Sequence, residues 1–162
     1  MFTDVVVKAA YRGINYVTWG AGSDAITFEN CSFGNSDRIT ALCGTVDGPT
    51  SVIYNNCTFS GQILSNFVDN AAGVAEFNNC TFTKAANSPR YNYIEGMGGT
   101  HIFTSCTFDY SGISQGNMGV IDYSAINVYS ESEYSTTVIL DGCTRIGCGT
   151  RKYGPNSTLI VR

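Results

Sequence analysis

A six-residue phrase returns along this chain and constrains its fold more than any other feature. Phe28-Glu29-Asn30-Cys31-Ser32-Phe33 recurs as Tyr54-Asn55-Asn56-Cys57-Thr58-Phe59 and as Phe77-Asn78-Asn79-Cys80-Thr81-Phe82. Two looser copies follow, Phe103-Thr104-Ser105-Cys106-Thr107-Phe108 and Leu140-Asp141-Gly142-Cys143-Thr144-Arg145. An opening copy without cysteine stands at Phe2-Thr3-Asp4-Val5-Val6-Val7. The leading apolar positions 2, 28, 54, 77, 103 and 140 are 26, 26, 23, 26 and 37 residues apart. A unit of that length cannot enclose a core alone, so successive copies must stack into a solenoid.

The pattern inside each copy describes one rung. Apolar residues alternate, the phase shifts across two residues, and alternation resumes: Ile26 and Phe28 point inward, Glu29-Asn30 bends the chain, and Cys31 and Phe33 point inward again. Asn and Asp suit such a bend because they tolerate the left-handed region and bond to nearby backbone. Stacking puts Asp4, Asn30, Asn56 and Asn79 in one column, where their side chains are expected to bond to each other and satisfy polar groups near the core. Ser105 and Gly142 interrupt that ladder. A second strand per rung is expected at 14–17, 39–42, 63–68, 91–94 and 120–123.

The apolar-x-apolar-x-Asn-Cys-Thr-Phe coils and the asparagine column resemble the right-handed parallel β-helix, or pectin-lyase-like, superfamily across nearly the whole chain. The expected fold is all-β: a right-handed single-stranded parallel β-helix of about six rungs of 23–37 residues, without a capping helix, forming one domain over 1–162. The resemblance implies a fold and not a function, because that superfamily includes polysaccharide lyases and hydrolases, phage tailspikes and adhesins.

Composition excludes some functions. With 9 Lys and Arg against 13 Asp and Glu, a net charge of −4, no basic patch neutralises phosphates, so nucleic acid is not an expected partner. No apolar run reaches the roughly 18 residues of a membrane span, and no signal-peptide pattern opens the chain. Asn-x-Ser/Thr triplets begin at Asn30, Asn56, Asn79 and Asn156, the first three coinciding with the bend. Of the seven cysteines, Cys31, Cys57, Cys80, Cys106 and Cys143 share one phase of the repeat and read as a core column. Zinc needs four converging ligands, which a linear column does not offer, and neighbouring rungs hold cysteines at disulfide distance but with awkward torsion. Cys43 and Cys148 fall off the column. No cofactor is expected.

Catalytic signals are thin. Asp109, Asp122, Asp141, Glu131 and Glu133, with Arg90, Arg145 and Lys152, are the groups from which paired acid–base chemistry on a polysaccharide would have to come, and Asp122 is the best single acid. His101 is the only histidine and reads as structural. Trp19, Tyr110, Tyr123, Tyr129 and Tyr134 fall in loops or at strand ends, where flat rings with polar tips suit sugar faces. The outward Ser and Thr at 32, 58, 81, 107 and 144 follow ordinary strand preference.

A solenoid with open ends presents unpaired backbone and an apolar cross-section. Phe2, Val5 and Val7 at one end and Leu159, Ile160 and Val161 at the other share nearly one phase of the coil. A copy is therefore expected to hand the helix on to the next with pairing unbroken, a non-closing contact that makes a head-to-tail homopolymer. The expected protein is a non-enzymatic, extracellular structural solenoid on a cell surface or virion. The alternatives are a segment cut from a longer β-helix, and a polysaccharide-binding or polysaccharide-degrading module of tailspike, lyase or hydrolase type.

Overall fold

Each rung begins as a strand whose alternate side chains are buried and is turned by a single left-handed residue. A computed structural model describes residues 1–8, 17–18, 25–44, 51–66, 73–83, 94–111, 124–129 and 135–162, with side chains placed at 1–6, 26–34, 51–60, 73–83, 98–111, 135–150 and 154–162. The first rung contains β1 (Phe2–Thr3), β2 (Val6–Lys8) and β3 (Val17–Thr18), and the second β4 (Ala25–Glu29) and β5 (Ser32–Gly44). The third holds β6 (Ser51–Asn55) and β7 (Thr58–Asn66), and the fourth β8 (Val74–Asn78), β9 (Thr81–Thr83) and β10 (Ile94–Met97). The fifth holds β11 (Gly99–Thr104), β12 (Thr107–Asp109) and β13 (Ser124–Tyr129). The sixth holds β14 (Thr136–Asp141), β15 (Thr144–Ile146) and β16 (Gly149–Tyr153), and β17 (Ser157–Val161) opens a seventh.

The chain is an all-β parallel solenoid. One face is the seven-stranded sheet β1-β4-β6-β8-β11-β14-β17. After the bend a second ladder runs β2-β5-β7-β9-β12-β15, and a third runs β3-β5-β7-β10-β13-β16. The long strands β5 and β7 belong to both ladders, and β5 takes register shifts between Phe33 and Ser36 and between Ser36 and Ile39 to do so. Every pairing is parallel, as successive turns of one coil require.

Two columns of rings fill the core beside the bend. On the first face Phe2, Phe28, Tyr54, Phe77 and Phe103 stack with centroids 5.1, 5.0, 4.9 and 4.6 Å apart. On the second face Phe33, Phe59, Phe82 and Phe108 stack at 5.0, 5.0 and 4.8 Å. The columns meet edge to face, as in Phe28 against Phe33 at 5.6 Å and 81° and Phe103 against Phe108 at 5.6 Å and 63°. Within a column the rings share the rung spacing of about 4.8 Å, and between columns the edges meet faces, so both favourable aromatic geometries are used.

The bend lies where the sequence places it. Asp4, Asn30, Asn56, Asn79 and Ser105 take φ of 53–55°, and Gly142 takes 61°. The backbone ladder passes straight through it: Asn30 N–H donates to the Asn55 carbonyl at 3.0 Å, Asn56 to Asn78 at 2.9 Å and Asn79 to Thr104 at 2.9 Å. The side-chain ladder departs from expectation. Asn79 donates to Asn56 at 2.8 Å, but Asn56 donates to the Glu29 carboxylate at 2.8 Å, and a second rail joins Asn78 to Asn55 at 3.0 Å. Asn30, Asn56 and Asn79 are exposed, so the ladder decorates the surface and does not satisfy groups beside the core. A left-handed residue aims its side chain away from the corner it turns.

Of the expected second strands, 39–42 lies within β5 and 63–66 within β7, Val17 lies on β3 and Ile94 on β10, and 14–16, 67–68, 91–93 and 120–123 lie outside the described residues. Pairing sets the register by a column of isoleucines, Ile39, Ile63, Ile94 and Ile126.

The bend gives a clean test of backbone against side chain. An L residue without a polar side chain pays about 1–2 kcal/mol in the left-handed region. Asn56→Ala is expected to lose about that much in urea unfolding, while Asn56→Gly, which removes the same exposed amide bonds but suits the conformation, loses less. Equal losses would assign the cost to the amide ladder instead.

Candidate functional site

The residues available for chemistry sort into an interior thiol column, a buried polar corner and scattered surface acids. The thiols come first because the repeat puts one in each of five rungs. Cys31, Cys57, Cys80 and Cys106 are buried, Cys143 is half-buried, and all are free thiols. Each Sγ donates to the carbonyl two residues back, and each also reaches a carbonyl in the preceding rung: Cys80 to Tyr54 at 3.3 Å, Cys106 to Phe77 at 3.1 Å, Cys143 to Phe103 at 3.2 Å. The same rungs are tied by Thr81 N–H to the Cys57 carbonyl, Thr107 to Cys80 and Thr144 to Cys106, at 2.8–2.9 Å. The column therefore stands where the sequence puts it and fills the corner between the two ring columns.

Neighbouring thiols stand one rung apart and shift each other's acidity. The thiols of Cys143 and Cys80 lower the pKa of Cys106, and the Cys80 thiol lowers that of Cys57. Cys80 and Cys143 are raised, each first by the neighbouring Cys106 thiol and also by burial. Off the column, Cys148 is half-buried and donates to the Phe108 carbonyl at 3.7 Å. Cys43 lies on β5, opposite Val17 and Asn66.

The polar corner was not foreseen as a unit. His101 is fully buried in the inward column Ile26, Val52, Ala75, His101, Val138 and Leu159, where the methyl of Ala75 in the preceding rung leaves room for a ring. Its Nε2–H donates to the Gly98 carbonyl at 2.9 Å, and Gly98 N–H donates to Thr136 Oγ1 at 2.7 Å. Thr136 and Ser157, both buried, follow Gly99 up the next column, and Ser157 Oγ donates to the Gly154 carbonyl at 3.0 Å. Gly98 and Gly99 have φ of 71° and 67°, so this corner turns on left-handed backbone that side chains then tie down. The legible signal was the inward alternation of Thr136, Val138 and Leu140, which continues from a hydroxyl. Burial lowers the His101 pKa from 6.5 to about 4, and the bond to Gly98 opposes that only in part. The ring is a neutral strut, as its isolation in the sequence suggested.

Among the described residues the surface acids do not converge. Asp109 is spent in a turn: its Oδ1 accepts from Ser111 N–H at 3.0 Å and Ser111 Oγ at 2.6 Å, which holds the carboxyl below its ordinary range. Asp141 ends β14 beside the bend, and Arg145 is exposed on β15. Asp122, Glu131, Glu133 and Arg90 lie outside the described residues, and Lys152 lies on β16, where its side chain is not placed. Among the described residues no three His, Cys, Asp or Glu side chains gather to hold a metal ion.

The aromatic candidates need one correction. Tyr110 is 2% exposed and its N–H donates to the Ile146 carbonyl at 2.9 Å, so it is a core ring closed in by the sixth rung and is not free for a sugar. Its polar tip misled the sequence reading, since a Tyr after Asp109 reads as a loop residue. Tyr129 ends β13, and Trp19, Tyr123 and Tyr134 lie outside the described residues.

At the ends, Phe2 is 46% exposed, Val5 36% and Val161 51%, with Leu159 and Ile160 half-buried; Val7 lies on β2, where its side chain is not placed. Register places Phe2 and Val161 in one column. Phe2 heads the column Phe28, Tyr54, Phe77, Phe103, Leu140 and Val161, so Val161 already occupies the Phe2 position of a seventh rung. A second copy whose β1 pairs with β17 places its β2 two rung spacings, about 9.6 Å, from β15. Pairing then continues on the first face and is one strand short on the others.

No family model, curated protein or solved structure matches this chain.

The buried imidazole dictates a pH response. Below pH 6.5 the unfolded chain takes up a proton that the folded chain refuses until about pH 4, so the contribution is complete above 6.5 and is lost as pH falls toward 4. Over that span it is on the order of 3 kcal/mol. Comparing urea midpoints at pH 7 and 4.5, the wild-type chain is expected to lose about 2–3 kcal/mol more than His101→Val, which copies the valines at 52 and 138 of the same column. Matching losses in the two proteins would remove His101 as the cause.

Proposed function

We propose that this protein is a structural solenoid that stacks head to tail through its first face, with Phe2 of one copy seated over Val161 of the next. The observation that carries the reading is where apolar surface lies. Among the described residues, the exposed large hydrophobics are Met1, Phe2, Val5 and Val6 on the first rung, Ile146 on the sixth and Val161 on the seventh. Among the described residues, the rungs between them show none. Exposed apolar residues gathered on a surface signify a contact, and a sheet edge beside them supplies unpaired backbone to strengthen it.

Two further features support a mechanical role. The ring columns are continuous through five rungs on one face and four on the other, which makes a stiff rod. The acids described here are used in turns and ladders or stand apart. The likeness to pectin-lyase-like coils is part of this proposal at the level of rung construction and carries no activity with it.

The step between the faces makes the test specific. Sedimentation and negative-stain electron microscopy over a concentration series are expected to show unbranched fibres for the wild-type chain. Phe2→Lys and Val161→Lys should each leave monomers, with circular dichroism unchanged because both positions are about half exposed. Val6→Lys, on the face left one strand short, should leave fibres in place. Monomers of wild-type protein at every concentration, or fibres that survive Val161→Lys, would end the proposal.

A further inference from the structure

The thiol column has a property that filling space does not require. Its five sulfurs belong to successive rungs, so each stands about 4.8 Å from the next along the axis, and each is aimed at a carbonyl of the rung before. Two metal–thiolate bonds of the zinc–sulfur length, about 2.3 Å, laid end to end span about 4.6 Å. That matches the rung repeat. With no three ligands gathered among the described residues, the geometry offered is linear and two-coordinate.

We propose that adjacent cysteines of this column bind soft, linearly two-coordinate metal ions, each ion held between two neighbouring thiols and each thiol bound to no more than one ion, so that five thiols take two ions. Binding breaks two S–H bonds and forms two S–metal bonds per ion. Two protons go to solvent, and no electron changes hands. Charge selects the ion further. Two thiolates and a divalent ion are neutral, whereas a monovalent ion leaves a net negative charge in a dry core, at high cost. Thiolate softness excludes magnesium and calcium, and zinc is disfavoured because it demands four ligands. The chemical class is therefore a soft divalent ion of the mercuric type. Cys143, the half-buried member at one end of the column, is the point of access. The lowered pKa of Cys106, which stands between the thiols of Cys80 and Cys143, eases the first deprotonation.

The test separates adjacency from thiol number. In the full chain carrying Cys43→Ser and Cys148→Ser, which removes the thiols off the column, mercuric chloride is titrated and unbound ion removed. Native mass spectrometry then counts ions, and X-ray absorption counts sulfurs per ion. The five-thiol protein is expected to hold two ions, each with two sulfur neighbours, and to release two protons per ion. Adding Cys31→Ala and Cys143→Ala leaves three consecutive thiols and should lower the count to one. Adding Cys57→Ala and Cys106→Ala also leaves three thiols, but on alternate rungs about 9.6 Å apart, and should abolish two-sulfur binding. Equal binding by the two three-thiol proteins overturns the proposal. Should either fail to fold, as judged by circular dichroism, the five-thiol protein decides alone: one or three sulfurs per ion, or no uptake, overturns it.

Discussion

The rung-to-rung hydrogen bond is the constraint on which everything else depends. It fixes adjacent coils at about 4.8 Å and forces each residue to sit above its equivalent in the rung before. It does not pause at the corners, since Asn30, Asn56, Asn79 and Ser105 donate across the bend as strand residues do. Side chains are therefore not free to choose neighbours. Each position becomes a column, and the question for a column is whether its members tolerate one another at that spacing.

That question explains the residue types. Flat rings satisfy it well, and the observed 4.6–5.1 Å within columns is the backbone repeat imposed on aromatic stacking. Thiols satisfy it too, being compact and able to donate to a carbonyl in the rung before. Carboxylates do not, because like charges stacked directly repel. The outward column Thr3, Glu29, Asn55, Asn78, Thr104 and Asp141 keeps its two acids apart with three neutral residues between them, and Asn56 answers Glu29 from one rung on. His101 is the exception in an apolar column. It is accommodated by a small neighbour and a local carbonyl, and its charge is what the column refuses.

The same rule accounts for the fraying of the pattern. Leu140 and Arg145 replace rings in the sixth rung, so both aromatic columns stop there, and Arg145 lies exposed where its predecessor Phe108 is buried. Tyr110 is the largest of the fully buried side chains, and it lies where the sixth rung closes over the fifth. Gly147, at φ of 65°, makes that closure possible: a Cβ there would meet the Tyr110 carbonyl oxygen at 3.1 Å. A loop-like stretch of sequence thus becomes core because a later rung covers it.

By itself the sequence determined the rung. Periodicity, the two-residue phase shift, the bend at Asp4, Asn30, Asn56 and Asn79, and the inward file of cysteines are all properties of one coil repeated, and repetition makes local preference visible. What only the tertiary structure decided is whatever depends on two rungs being different. The asparagines proved exposed, Asn56 chose Glu29, Tyr110 was buried by the rung above it, and Val161 fell in the column that Phe2 heads. His101, Thr136 and Ser157 came together at one corner though 35 and 21 residues separate them in turn. The physical reason is register. A repeat fixes which face a residue points to, but its neighbour one rung away is set by repeat lengths that vary from 23 to 37 residues, and only the closed coil fixes that count.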